Sequence, residues 1–187
     1  MDKRDLRSKY HKLRDEVEEN YRDEMSREIT ERLLGSNIYK NSKSIFCFCS
    51  MGSEVYTYDI LKAALKDGKK VAVPKVLSNE GIMAAIKIED LNALRPGRYN
   101  INEPCSNYEA NDVDLVIVPG LLFNKRGYRV GYGKGFYDRY LKGKNLLSIG
   151  ICFEFQITDL DFQNEFDIPV DYICTEKSIY KVGGLHE

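Results

Sequence analysis

The sequence predicts an α/β fold: a three-layer sandwich with a mostly parallel sheet, helices on both faces and a long N-terminal helix. Three observations point to it. Short apolar runs recur at residues 44–49, 70–74, 114–120 and 146–152, as strands buried on both faces require. Stretches of helical character lie between them, the alternation that builds parallel sheets. The length, 187 residues, suits a single domain over residues 1–187 with one well-buried core.

Each element follows from local pattern. Leu6, Tyr10, Leu13, Val17, Tyr21, Met25, Ile29 and Leu33 recur three or four residues apart. That spacing makes one apolar helical stripe, with Gly35 as its stop. A break near Met25, with a second helix from Ser26, is the alternative. Residues 44–49, rich in β-formers, read as a buried strand. Thr57 is placed to cap a helix over residues 58–67, which Gly68 ends. Residues 70–74 form a second strand, ended by Pro74, and residues 81–88 a third. Pro96, Gly97 and Pro104 make residues 94–108 a loop. Residues 114–120 are the clearest strand. A helix over residues 135–141 and strands at 146–152 and 170–174 complete the chain. Ligands of such sheets gather beyond the carboxyl ends of the strands. The loops after Cys49, Val73, Val118 and Cys152 are therefore the places to look.

Composition narrows the function. Lys and Arg number 28 against 29 Asp and Glu, for a formal net charge of -1. No global basic field draws the chain to nucleic acid or to a membrane surface. The five cysteines, Cys47, Cys49, Cys105, Cys152 and Cys174, are odd in number and form no C-x-x-C pair, and the histidines are only His11 and His186. A zinc site is poorly supported; four of the thiols sit in or beside apolar runs, as buried hydrophobes of a reducing compartment do. The charged N-terminus has no secretory pattern, and no apolar run reaches membrane-spanning length. The expected location is the cytoplasm, and the expected state a monomer or small homo-oligomer.

One segment concentrates chemistry. After the best strand, Gly127, Gly131, Gly133 and Gly135 alternate with Lys125, Arg126, Arg129 and Lys134. Glycines let backbone amides approach an anion. The helix start beyond them offers unpaired N–H groups, and arginine can grip phosphate with two donors. Asp138, one turn into that helix, could ligate magnesium, which prefers oxygen. The bland reading is a solvated surface loop. The segment matches neither G-x-x-x-x-G-K-[ST] nor a Rossmann fingerprint.

The stretch RVGYGKGFYDRYL at residues 129–141, preceded by Val118, Pro119, Gly120 and Phe123, closely resembles the signature of the 5-formyltetrahydrofolate cyclo-ligases, also called 5,10-methenyltetrahydrofolate synthetases. The similarity spans nearly the whole chain. Lys3, Leu6 and Arg7 resemble the family's N-terminal Lys-x-x-Leu-Arg; Glu54, Val55 and Thr57 resemble its Glu-Val-x-Thr element; Val73 with Pro74, then Gly97, then Asn102, Glu103 and Pro104 keep its order. The resemblance implies ATP- and magnesium-dependent conversion of 5-formyltetrahydrofolate to 5,10-methenyltetrahydrofolate through a phosphorylated formyl group. It implies ATP contact by Lys3, Arg4, Asp5, Leu6 and Arg7, and by Arg129, Val130, Gly131, Tyr132, Gly133, Lys134, Gly135, Phe136 and Tyr137. Folate contact falls to Glu54, Tyr132, Gly133, Lys134, Gly135 and Phe136. Lys134 and Arg129 are the expected catalytic cations, and Asp138 and Asp167 the expected metal ligands. Asn124 stands where the family often has aspartate, and Phe166 where histidine is frequent.

Two rival readings remain from the residues alone. Related folds bind sugar phosphates or coenzyme A, although an isomerase needs a general base that only Glu54 could supply. The interleaved cations and aromatics between Lys125 and Tyr140 also resemble a single-strand platform, which the balanced overall charge opposes.

Overall fold

The computed structural model describes residues 2–183. In chain order the elements are α1 (Lys3–Asp15), α2 (Glu19–Gly35), α3 (Asn37–Asn41), β1 (Ser44–Cys47), α4 (Tyr58–Lys66), β2 (Lys70–Val76), β3 (Met83–Ile88), β4 (Leu94–Pro96), β5 (Asn102–Pro104), β6 (Leu115–Val118), β7 (Leu122–Asn124), β8 (Arg129–Val130), α5 (Phe136–Leu141), β9 (Leu147–Ile151), β10 (Ile157–Thr158), β11 (Tyr172–Cys174) and β12 (Ile179–Lys181).

The main sheet has seven strands in the order β12-β11-β9-β6-β1-β2-β3. Its five inner strands are parallel; β3 and β12 close the two edges antiparallel. Alternation along β1 shows how the layers form. Ile45 and Cys47 face a core shared with Ile29 and Leu33 of α2 and Ile60 and Leu61 of α4. Phe46 faces the opposite core, with Val116, Val118, Phe123 and Tyr140. A strand clothed on both sides by helices tolerates no polar face, and β1 is buried at all four positions. The three-layer sandwich is as the sequence predicts.

The long N-terminal helix is borne out in part: its span is helical but divided in two. α1 starts cleanly because the Asp2 side chain accepts the Asp5 N–H at 2.8 Å. It ends after Asp15, and Glu18 is extended before α2 begins. The break therefore precedes both Met25 and Ser26. The apolar stripe is continuous in sequence but serves two cores. Leu6 packs against Leu122 and Val130 in a small cluster, whereas Met25, Ile29 and Leu33 join the main core. Leu13 and Tyr21, between them, are exposed. Asp15 and Glu16 oppose the dipole at the end of α1, whereas Glu18 and Glu19 suit the start of α2.

Other differences are local. β2 runs through Pro74 to Val76, because beyond Ala72 only β3 is its partner and a proline without N–H is tolerated on such a strand. Residues 94–108 hold the antiparallel pair β4–β5. Thr57 does not cap α4; its hydroxyl donates to the Phe48 carbonyl at 2.7 Å and accepts the Ser50 N–H at 2.9 Å. Asn124 is buried, and its amide donates to the Leu160 carbonyl and to Gln163. An aspartate could not make those donations. Cys47, Cys49, Cys152 and Cys174 are buried free thiols, and Cys105 is an exposed one. Burial pushes the Cys49 thiol up to about 12. The buried four are packing residues, inert as nucleophiles.

Candidate active-site cleft

A cleft of about 500 Å³ opens beyond the carboxyl ends of β1, β2 and β6, where a parallel sheet is expected to bind its ligand. Phe48 and Cys49 reach it from β1, Pro74 and Val76 from β2, and Pro119 from β6. The loop after Cys152 does not reach it; Phe153 turns into the main core instead.

One wall is the glycine-rich segment. Gly133 has φ +96° and Gly135 φ +69°, conformations that side chains resist, and so the chain can turn at the mouth of the cleft before α5 starts. Arg129, at the base of the segment, is 6% exposed. Its Nη2 donates to Asp138 Oδ1 at 2.9 Å and its Nη1 to the Ile168 carbonyl at 3.0 Å. Asp138 Oδ1 also accepts the Ile168 N–H at 2.9 Å. Burial pushes the Arg129 pKa down, and the Asp138 carboxylate opposes that push. Higher on the segment, Tyr132, Gly133 and Lys134 are exposed, and Lys134 has no carboxylate within ion-pair range among the described residues. Lys125 and Arg126 pair instead with Asp159 and Asp161. Arg139 ties the segment to the β2–β3 turn, donating to the carbonyls of Lys134 and Gly81.

α1 forms a second wall. Lys3 and Arg7, one turn apart, both line the cleft. Lys3 contacts the Asp167 carboxylate, and Arg7 Nε donates to the Gly131 carbonyl at 2.7 Å. Glu54 faces them from the loop after β1. Its Oε2 accepts the Met51 N–H at 2.9 Å and its Oε1 the Tyr132 hydroxyl at 2.8 Å. Burial raises the Glu54 carboxyl above its ordinary value, against those two hydrogen bonds and the nearby Arg14 charge.

The cleft thus gathers Lys3, Arg7, Glu54, Arg129, Gly131, Tyr132, Gly133, Lys134, Gly135, Phe136, Tyr137, Asp138 and Asp167. Arg4, Asp5, Leu6 and Val130 stay out of it. Leu6 and Val130 pack on each other in the small core, and Arg4 and Asp5 lie on the solvent side of α1. Tyr137 stacks on Phe46, at 6.1 Å between ring centres, while also lining the cleft. Tyr99 and Ile101 enter from the β4–β5 connection, a region that reads as featureless loop in the sequence. Tyr99 has φ 56°, a strained value of the kind that clusters at functional sites.

A family model described as the 5-formyltetrahydrofolate cyclo-ligase family matches residues 1–176. The chain belongs to the 5-formyltetrahydrofolate cyclo-ligase family. Among the cyclo-ligases it resembles is the mouse 5-formyltetrahydrofolate cyclo-ligase, 32% identical over 165 residues, which are 80% of this chain and 81% of that protein. The 5-formyltetrahydrofolate cyclo-ligase of Mycoplasma pneumoniae is 28% identical over 181 residues, 95% of this chain and 100% of that protein. Among solved structures, the NMR structure of Aquifex aeolicus 5,10-methenyltetrahydrofolate synthetase superposes with a TM-score of 0.88 at 31% identity, covering 100% of this chain and 96% of that one. Membership of the cyclo-ligase family therefore holds over almost the entire chain.

Proposed function

We propose that this chain converts 5-formyltetrahydrofolate to 5,10-methenyltetrahydrofolate with ATP and magnesium, releasing ADP and phosphate. The observation that carries the reading is one cleft with two unlike walls. Lys134 and Arg7, which no carboxylate pairs among the described residues, offer cations beside a glycine turn suited to a polyphosphate, with Lys3 close by on Asp167. Glu54, opposite, is a carboxylate with spare acceptor capacity, suited to the N–H edge of a pterin. The volume lies in the range of small-molecule sites.

The chemistry asks little covalent work of the protein. The formyl oxygen attacks the γ-phosphorus, and the bond to the bridging β,γ oxygen breaks to release ADP. The imidoyl phosphate so formed has a leaving group that a formamide lacks. N10 then attacks the formyl carbon, the N10 proton is lost, the carbon–oxygen bond breaks and phosphate departs. The protein must align the two substrates and neutralise developing phosphate charge. Lys134 is free to follow the transferred group, while Arg129 supports it from below.

The acidic groups suit magnesium carried by phosphates. Among the described residues no three His, Cys, Asp or Glu side chains cluster as a closed metal cage. Asp138 and Asp167 nevertheless both line the cleft, and magnesium commonly takes one or two carboxylates and completes its shell with water and phosphate. Asp138 Oδ2 accepts no hydrogen bond among the described residues and is the better ligand. Asp167 Oδ2 is engaged by Lys3 and by the Asn164 N–H at 2.7 Å. When bound, magnesium would shield charge between the phosphates.

A nucleic-acid platform fits less well, because Lys125, Arg126 and Arg129 are already paired with carboxylates. Among the described residues no helix is long and apolar enough to cross a membrane. The five unpaired thiols support a reducing, cytoplasmic setting, where the chain works as a monomer or small homo-oligomer. The test is direct: mix purified protein with 5-formyltetrahydrofolate, ATP and magnesium, and follow the absorbance of the conjugated methenyl product. A folded protein that forms none ends the reading.

A further inference from the structure

α1 carries a third cation on the face that bears Lys3 and Arg7. Arg14 follows Arg7 by two turns and shares its stripe. It is 3% exposed, a place arginine takes only when its donors are used. Its Nε donates to Ser53 Oγ at 3.0 Å, and its Nη2 to the Tyr132 hydroxyl at 2.7 Å. Ser53 donates onward to Asp15, which also pairs with His11 Nδ1 at 2.9 Å. The Tyr132 hydroxyl, having accepted from Arg14, donates to Glu54 Oε1 at 2.8 Å. A directed chain of hydrogen bonds therefore runs from α1, through the glycine segment, to the carboxylate on the facing wall.

We infer that Arg14 is a positioning residue for the folate side: by holding the Tyr132 hydroxyl as a donor, it aims the Glu54 carboxylate. The inference rests on the folate reading of Glu54 above. Arg14 lies outside the cleft lining, so it acts through Tyr132 and not on ligand. A phenol can either donate or accept, but guanidinium has no acceptor. Facing Arg14, the hydroxyl must turn its proton toward Glu54. Tyr132 and the Met51 amide then each occupy one lone pair, one per carboxylate oxygen. One remains free on each oxygen, a fixed pair of acceptors for two adjacent N–H donors.

The test is a double-mutant cycle on the full chain, read by calorimetric titration with 5-formyltetrahydrofolate and, separately, with magnesium ATP. Arg14→Met is expected to lower folate affinity about tenfold, as a lost charge-assisted hydrogen bond does. ATP affinity should stay within about twofold, since Lys3 and Arg7 remain. Tyr132→Phe should weaken folate binding too, and adding Arg14→Met to it should change the result by less than about twofold. Arg14→Lys keeps the charge but not the two-pronged geometry, and should recover only part of the loss. It also carries the cycle should Arg14→Met not fold. Equal loss of both ligands would mean that Arg14 merely secures α1, and would overturn the inference. Additive losses, or unchanged folate affinity, would overturn it as well. A folded native chain that binds no folate would instead remove the functional reading, and the positioning role with it.

Discussion

The base and the crest of the glycine-rich segment carry similar residues to opposite ends. At the base, Arg129 is buried and its two terminal nitrogens are engaged by Asp138 and the Ile168 carbonyl. At the crest, Lys134 is exposed, and no carboxylate among the described residues lies within its ion-pair range. A cation already paired in a dry site damages the fold when removed alone, because its partner is left buried without a counter-charge. A cation without a partner contributes little to the fold and is available to a ligand. The difference teaches that charge alone does not mark a catalytic residue; the state of its partners does.

Four measurements bear on that contrast. Arg129→Met leaves the Asp138 carboxylate partly buried and unpaired, and should cost about 3 kcal/mol of stability, read as a lower midpoint in urea unfolding. Stability within about 0.5 kcal/mol of the native chain would erase the distinction between base and crest. Lys134→Ala should leave the urea midpoint nearly unchanged while lowering turnover at least about tenfold. An unchanged rate at saturating ATP would remove Lys134 from the chemistry. A smaller effect is expected of Asp138→Asn, which keeps an oxygen for Arg129 but weakens the charge offered to a cation. The magnesium needed for half-maximal rate should rise, and a titration of the metal would show it.

The smallest effect is one of pH. Burial raises the Glu54 carboxyl above its ordinary value, and only the ionised form accepts two N–H groups from a pterin. Acidification through that raised value protonates Glu54, so kcat/KM for folate should fall on the acid side earlier than an exposed glutamate would allow. Glu54→Gln should abolish that limb of the profile. A limb that survives the substitution belongs to another group.

Much of the fold and part of the cleft are legible in the amino-acid sequence. The run from Leu115 to Val118 reads as a strand because burial on both faces demands unbroken apolar sequence. The glycine segment is legible because a tight turn with positive φ needs Gly133 and Gly135. What the sequence hides depends on long-range partners. The stripe from Leu6 to Leu33 is periodic throughout, and nothing in it says that Leu6 meets Leu122 while Ile29 meets the main sheet. Pro74 looks like a strand end until β1 is seen to stop pairing at Ala72. Tyr99 sits in a stretch with no periodic pattern. Arg14 looks like any charge on a charged helix; its one signal is the seven-residue step from Arg7, which places both on one face.

In the proposed function the Gly133–Gly135 turn holds a nucleotide's terminal phosphates across from a pterin seated on Glu54. A crystal structure with ADP, magnesium and 5-formyltetrahydrofolate tests it most directly. The β-phosphate is expected beside the turn, within reach of Lys134 Nζ, with pterin N–H groups on the Glu54 carboxylate. Nucleotide bound elsewhere on the molecule, with that turn bare, would contradict it.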